Sequence, residues 1–233
     1  MKQNVIAIVP AAGSGKRFGH DINKAFFDIL DKPIIVWVLE KFQNSLYINE
    51  IIPVFSDLDM ERGLELIESF SLSKVKKIAP GGEERQHSVY NALKLVDKKT
   101  STILIHDGVR PVIDDELIKR CLNALDKYDG VVSGIPVKDT VKEVRSNMIE
   151  HTLDRKRLIA VQTPQVFKYK TLISAFNEIK DRDLRFTDDA SVIEFVGGQI
   201  AVAEGSYRNI KVTTPDDAII AEAFLKSTEE DMQ

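Results

Sequence analysis

The sequence predicts an α/β fold: a Rossmann-like, mostly parallel sheet flanked by helices, with a projecting β-hairpin arm. Three observations predict it. Short apolar runs rich in β-branched residues alternate with longer segments of helical period. Runs such as "VIAIVP" and "TILIH" are apolar at nearly every position, as strands covered on both faces must be. One later segment, "VKDTVKEVRSNMIEHTLDR", breaks the alternation and reads as an exposed ribbon instead.

In chain order the strand runs are Val5–Pro10, Ile51–Ser56, Thr102–His106, Val131–Val137, Leu158–Gln162 and Ile200–Ala203. Between them "PIIVWVLEKFQNS", "DMERGLELIESFSL", "ERQHSVYNALKLV" and "DDELIKRCLNALDKY" place apolar residues three and four apart. Val89, Ala92, Leu93 and Val96 are one such stripe, which a helix buries on one face. In the ribbon, Val141, Val144, Met148 and Ile149 flank the turn-like pair Ser146-Asn147. A lone two-stranded ribbon is marginal in water, so a partner subunit is the expected support. "RFTDDASVIEF" reads as a helix capped by Thr187 or Asp188, and "RNIKVTTPDD" leads into the last helix. The expected organisation is one domain over 1–233, with the arm inserted at about 138–157.

At 233 residues the chain can bury one sizeable core. Lys+Arg 32 against Asp+Glu 36 gives a net charge of −4, which disfavours a nucleic-acid surface but leaves room for a local basic pocket. Cys121 is the sole cysteine and stands in a helical pattern, so it is expected to be a core thiol. No apolar run is long enough for a membrane span, and the early, brief apolar start does not resemble a signal peptide. A cytoplasmic enzyme without membrane or nucleic-acid partners is the expectation.

Ligands of such sheets bind beyond the carboxyl ends of the strands, so the segments after each run carry the chemistry. The first is "PAAGSGKRFG". It is not a P-loop: Arg17 follows Gly15-Lys16 where a hydroxyl is needed, and Pro10 stands where the first glycine belongs. Nor is it a dinucleotide fingerprint, since Phe18 holds the third glycine position and no acid follows at the required spacing. What remains is a run of small residues that lets backbone N–H groups approach phosphates, with Arg17 and Lys24 as cations beside it. A solvated turn with scattered bases is the bland alternative.

Together with Lys24 this stretch resembles the signature of nucleotidyltransferases that join a nucleoside triphosphate to a sugar or polyol phosphate. More narrowly it resembles the 2-C-methyl-D-erythritol 4-phosphate cytidylyltransferases. Members often have proline before the lysine; here Asn23 precedes it, a change expected to loosen the loop. The resemblance implies that Pro10, Ala11, Ala12, Gly13, Ser14, Gly15, Arg17 and Lys24 bind CTP. It implies the same of Gly81, Gly82, Glu83 and Ser88 in "PGGEERQHSV", with Arg85 holding that segment.

"HDGVRP" puts Asp107 at a strand end, where a carboxylate can hold Mg²⁺, and Arg110 where it can clamp a phosphomonoester or simply pair with the aspartate. The resemblance assigns Asp107, Gly108 and Arg110 to the metal and substrate region. Gly108 replaces a frequent alanine, a change expected to matter little. Thr140, Thr163, Arg155 and Lys211 are implied to contact the polyol phosphate, Arg155 reaching it from the arm across a homodimer interface. Arg17, Lys24, Arg155 and Lys211 are the implied catalytic set. Asp188 and Asp189 are read as structural, and His20, His87, His106 and His151 as surface or packing residues.

The expected reaction is cytidylyl transfer from CTP to 2-C-methyl-D-erythritol 4-phosphate. A ribitol 5-phosphate cytidylyltransferase is the alternative; against it, that relative typically begins "LAGG" and generally lacks the "TLDR" found at Thr152–Arg155. An NAD-dependent oxidoreductase is disfavoured by Phe18, and a silent nucleotide-binding regulator by the intact Arg17, Lys24, Asp107 and Lys211.

Overall fold

The computed structural model describes residues 4–13, 23–97 and 99–230. Its centre is a seven-stranded sheet. The strands are β1 (Val5–Pro10), β4 (Glu50–Phe55), β5 (Ala79–Pro80), β6 (Thr102–Ile105), β7 (Gly130–Pro136), β10 (Ile159–Lys168) and β11 (Ile200–Glu204). The short pair β2 (Asp28–Ile29) and β3 (Lys32–Pro33) lies apart from it. Across the sheet the order is β11-β7-β10-β6-β1-β4-β5. β1 pairs in parallel with β4 and β6, β4 with β5, and β7 with β11. β10 alone runs against both its neighbours. Two successive reversals restore direction, so β7 and β11 point the same way as β1, β4, β5 and β6. Their carboxyl ends therefore share one edge.

The period of two in these strands divides the core. Val5, Ala7 and Val9 face a layer with α1 (Ile34–Asn44), α4 (Asp115–Ala124) and α7 (Pro215–Glu230). Ile6 and Ile8 face the opposite layer, with α3 (Arg85–Leu93), α5 (Tyr169–Ile179) and α6 (Asp189–Phe195). Leu104 and Val166 join the first layer, their neighbours Ile103, Ile105 and Phe167 the second. α2 (Met60–Ser69) packs its apolar stripe on the first layer through Leu66 and Ile67. Cys121 is buried there, and burial pushes its thiol pKa up to about 12, as a core thiol requires.

The run read as Leu158–Gln162 is the start of the longer β10, whose pairing shifts between Gln162 and Gln165. α5 follows β10 directly and was not read from the sequence. The arm is β8 (Lys142–Arg145) and β9 (Met148–Thr152), a separate two-stranded antiparallel sheet exposed along its whole length. Ser146 and Asn147 both have positive φ, the backbone of a type I′ hairpin turn. Among the described residues no helix is long and apolar enough to cross a membrane.

Candidate active site

The loops after β1, β5, β6 and β11 meet at the shared carboxyl edge of the sheet. Pro10–Gly13 leave β1, and Ala11 donates its N–H to Val54 O at 2.9 Å, which keeps the loop flat against β4. Ser14, Gly15 and Arg17 lie outside the described residues. The chain is described again at Asn23, which caps a short 3-10 turn over Lys24–Phe26. Asn23 ties the described end of this segment to its neighbours. Its amide donates to Ala11 O at 2.7 Å and to Asp59 Oδ2 at 2.8 Å, and its side-chain oxygen accepts from Ala25 N at 3.1 Å. Ala25 and Phe26 are buried, and Lys24 lines the cleft in front of them.

The glycine turn after β5 sits against this loop. Gly81 donates to Phe55 O at 2.7 Å, and a Cβ there would lie 2.7 Å from Ala12 Cβ, so only glycine lets the two loops approach this closely. Ser88, on the first turn of α3, accepts from Gly82 N at 3.0 Å and donates to Glu84 O at 3.2 Å. Ser88 lines the cleft, and its hydroxyl also shapes the turn.

Asp107 follows β6 and gathers three cations. Lys211 Nζ lies 2.9 Å and Arg110 Nε 3.3 Å from Oδ2, and Arg85 Nε lies 3.6 Å from Oδ1. Burial alone would raise the carboxyl pKa; Lys211, Arg85 and Arg110 outweigh it and hold the group well below the carboxylate range. Arg85 also pairs with the buried Asp189 at 2.7 Å. Burial works against the Arg85 charge, but Asp189 and Asp107 overcome it and its pKa is raised. Asp189 is thus a structural counter-ion, while Asp188 caps α6 in a capping box.

Beneath Asp107 a buried chain of hydrogen bonds fixes the loop. Asp107 N donates to Thr163 Oγ1 at 3.0 Å, and Thr163 Oγ1 lies 3.0 Å from His106 Nδ1. His106 Nε2 lies 3.1 Å from Arg110 O, which can only accept, so the proton sits on Nε2 and Nδ1 accepts from Thr163. Full burial brings the His106 pKa down to about 4, and the ring is neutral. Thr163 was expected on the polyol phosphate. It lines the second cavity described below, and its hydroxyl is also a link in this chain.

Two cavities open on either side of this cluster. One, about 360 Å³, is lined by Pro10–Gly13, Lys24, Gly82–Arg85 and Ser88. The other, about 420 Å³, lies toward β10 and α6, where Asp188 and Glu194 make its far wall acidic. Arg85, Asp107 and Lys211 line both. Arg85 and Lys211 stand between the cavities; with Lys24 they give the first a cationic side, while Asp188 and Glu194 oppose them across the second.

Among the described residues no three His, Cys, Asp or Glu side chains gather as a metal cage. Asp107 still fits Mg²⁺, which is commonly held by one or two carboxylates plus substrate phosphates. Oδ1, whose ion pair among the described residues is with Arg85 at 3.6 Å, is the oxygen with capacity for it.

A family model described as 2-C-methyl-D-erythritol 4-phosphate cytidylyltransferase matches residues 5–227. The chain belongs to this family. A cytidylyltransferase of that description from Clostridium tetani is 43% identical over 221 residues, covering 94% of this chain and 89% of its own. One from Bacillus cereus is 43% identical over 219 residues, covering 94% and 96%. The solved 4-diphosphocytidyl-2C-methyl-D-erythritol synthase from Anaerococcus prevotii superposes with a TM-score of 0.84 at 29% identity, covering 97% of this chain and 100% of its own.

Within this cytidylyltransferase fold, three expected site residues line neither cavity of their own chain. Gly108 lines neither cavity: it is buried, donates to Pro10 O at 3.1 Å, and a Cβ there would meet Ile35 Cδ1 at 2.7 Å. It packs the loop on α1, and an alanine would require the flexible end of Ile35 to move. Arg155 lies at the foot of the arm, where Nη1 donates to Lys138 O at 2.6 Å, and Thr140 is exposed beside it; neither lines the cavities of its own chain. Asn209 was missed by sequence reasoning. It is fully buried, donates to Thr163 O at 2.7 Å, and its carbonyl accepts from Arg110 Nη1 at 2.8 Å, two residues before Lys211.

Proposed function

We propose that the protein transfers the cytidylyl group of CTP to the phosphate of 2-C-methyl-D-erythritol 4-phosphate, releasing pyrophosphate. The carrying observation is the cleft in which the small-residue loop Pro10–Gly13, Lys24 and the glycine turn face the Asp107–Lys211–Arg85 wall. An oxygen of the substrate phosphate attacks the α-phosphorus in line, a new P–O bond forms, and the α–β bridging bond breaks with its electron pair leaving on pyrophosphate. The attacking phosphate is anionic at neutral pH, so no side chain need remove a proton. Catalysis is positioning and charge stabilisation.

In this reading Pro10–Gly15, Gly81–Glu83 and Ser88 seat CTP, Arg17 and Lys24 stabilise charge at the reacting phosphorus, and Lys211 anchors the attacking phosphate. Arg85 and Arg110 keep Asp107 charged and fixed. When bound, Mg²⁺ neutralises charge on the triphosphate, with Asp107 as its one protein carboxylate. The arm is read as a homodimer contact: Val144, Met148 and Ile149 are 56%, 71% and 63% exposed on a ribbon that lies open along its length among the described residues. A second copy would cover them and bring Arg155 and Thr140 toward the partner's cleft.

Pyrophosphate release from CTP is expected with 2-C-methyl-D-erythritol 4-phosphate and not with ribitol 5-phosphate; release with ribitol 5-phosphate alone would reassign the substrate. Arg155→Ala is expected to raise KM for the polyol phosphate by roughly tenfold or more, the loss of one charge-assisted contact, with CTP binding kept. Weakened CTP binding alone would refute that role.

A further inference from the structure

We propose that Asn23 is a positioning residue for Lys24, an amide clip anchored on Asp59 that fixes where the lysine enters the nucleotide cleft. The inference rests on reading Lys24 as a cation acting on the reacting phosphorus. A carboxamide has two N–H donors and one oxygen, and here all three functions are used. The donors reach Ala11 O at 2.7 Å and Asp59 Oδ2 at 2.8 Å, and the oxygen accepts from Ala25 N at 3.1 Å.

Asp59 Oδ2 also accepts from Ser56 Oγ at 2.5 Å, and Asp59 is itself the residue from which α2 starts. One amide therefore ties the lysine's backbone to the end of β1, to the loop after β4 and to the head of α2. On the other side of Lys24, Arg62 donates to Phe26 O at 3.2 Å and lies 4.8 Å over the Phe26 ring. The segment is thus held at both flanks by polar groups from the head of α2. A lysine side chain is long and flexible, so a fixed backbone origin is what the fold can contribute to aiming it. Misplacement by about 1 Å can cost ~10²-fold in rate.

The test measures kcat and KM by pyrophosphate release from the full-length chain carrying Asn23→Ala, Lys24→Ala or both, with thermal midpoints recorded alongside. Asn23→Ala is expected to lower kcat by roughly 10- to 100-fold, with KM for CTP shifted less than about threefold. In the Lys24→Ala background the same change is expected to cost less than about twofold, because the group it aims is gone. Equal losses in both backgrounds would overturn the proposal, since a general structural defect acts with or without the lysine. A slow Lys24→Ala beside a full-speed Asn23→Ala overturns this proposal alone; a full-speed Lys24→Ala removes the reading of the lysine as well. Asn23→Asp keeps the acceptor for Ala25 but loses both donors, and is expected to repeat the loss if the alanine variant proves unstable.

Discussion

Lys24→Ala is expected to lower kcat by ~10²–10³ while the protein stays folded. In the proposed transfer, negative charge grows on the α-phosphorus oxygens and on the departing pyrophosphate. A cation already oriented there acts without reorganisation, and removing one such group from an enclosed site costs on the order of 3–4 kcal/mol of barrier. The fold should tolerate the change. The structural part of this turn is carried by the buried neighbours Ala25 and Phe26 and by Asn23, while Lys24 is only half-buried at the cleft. Substitutions of that kind usually shift stability within about 0.5 kcal/mol. The thermal midpoint is therefore expected to move little, and KM for the polyol phosphate less than kcat. An unchanged kcat would sink the role assigned to Lys24.

Why the lysine was legible in the sequence and its supports were not follows from range. Lys24 lies close to a small-residue loop, and small residues with nearby cations are a local pattern. Asn23 and Asp59 are 36 residues apart, and their contact exists only because β1 and β4 are parallel neighbours. The same holds for Asp107, Arg110 and Lys211: each was named as a site residue, but a sequence gives no distance between positions 107 and 211. Gly108 and Thr163 were assigned to substrate through the family resemblance, which carries no contact geometry. A Cβ at Gly108 would meet Ile35, and Thr163 Oγ1 lies between Asp107 N and His106, contacts set by strand and loop geometry rather than by order.

The fold divides in the same way. Strands covered on both faces announce themselves through unbroken apolar runs, and α1, α3 and α4 through stripes at three and four. Period two carries no direction, so the reversal of β10 could not be read from "LIAVQ". α5 escaped because nothing punctuates its start: it begins at Tyr169 directly after β10, and Lys168 makes no side-chain cap. The arm, by contrast, was legible because its failure to look buried was itself the signal, and Ser146-Asn147 supplied the turn.

The second large effect is expected at Asp107. Asp107→Ala removes the carboxylate that Lys211, Arg110 and Arg85 share, leaving Arg85 its pair with Asp189. Their fates differ. Lys211 and Arg85 have side chains 38% and 28% exposed and can turn toward water; Arg110 is 10% exposed and cannot. Stranding one partner of a buried ion pair costs about 3–5 kcal/mol, and the partial exposure of the other two cations favours the lower figure. For a chain of this size ~3 kcal/mol corresponds to a fall of roughly 6–12 °C in the thermal midpoint. The pH dependence gives the sign. Because the Asp107 pKa is held below its ordinary 3.8, its contribution is fully present above that value and is lost only as pH falls toward the depressed folded-state pKa. The difference in urea midpoint between parent and variant should therefore be constant from pH 7 down to about pH 5 and shrink in more acidic solution. An equal midpoint at pH 7 would refute the cluster's role. If Arg110 is the stranded charge, adding Arg110→Met to Asp107→Ala should recover stability, since a packed apolar side chain needs no counter-ion where a buried guanidinium does. Activity should not return with it, because Lys211 would still lack the carboxylate that holds it 2.9 Å away at the wall of the cleft.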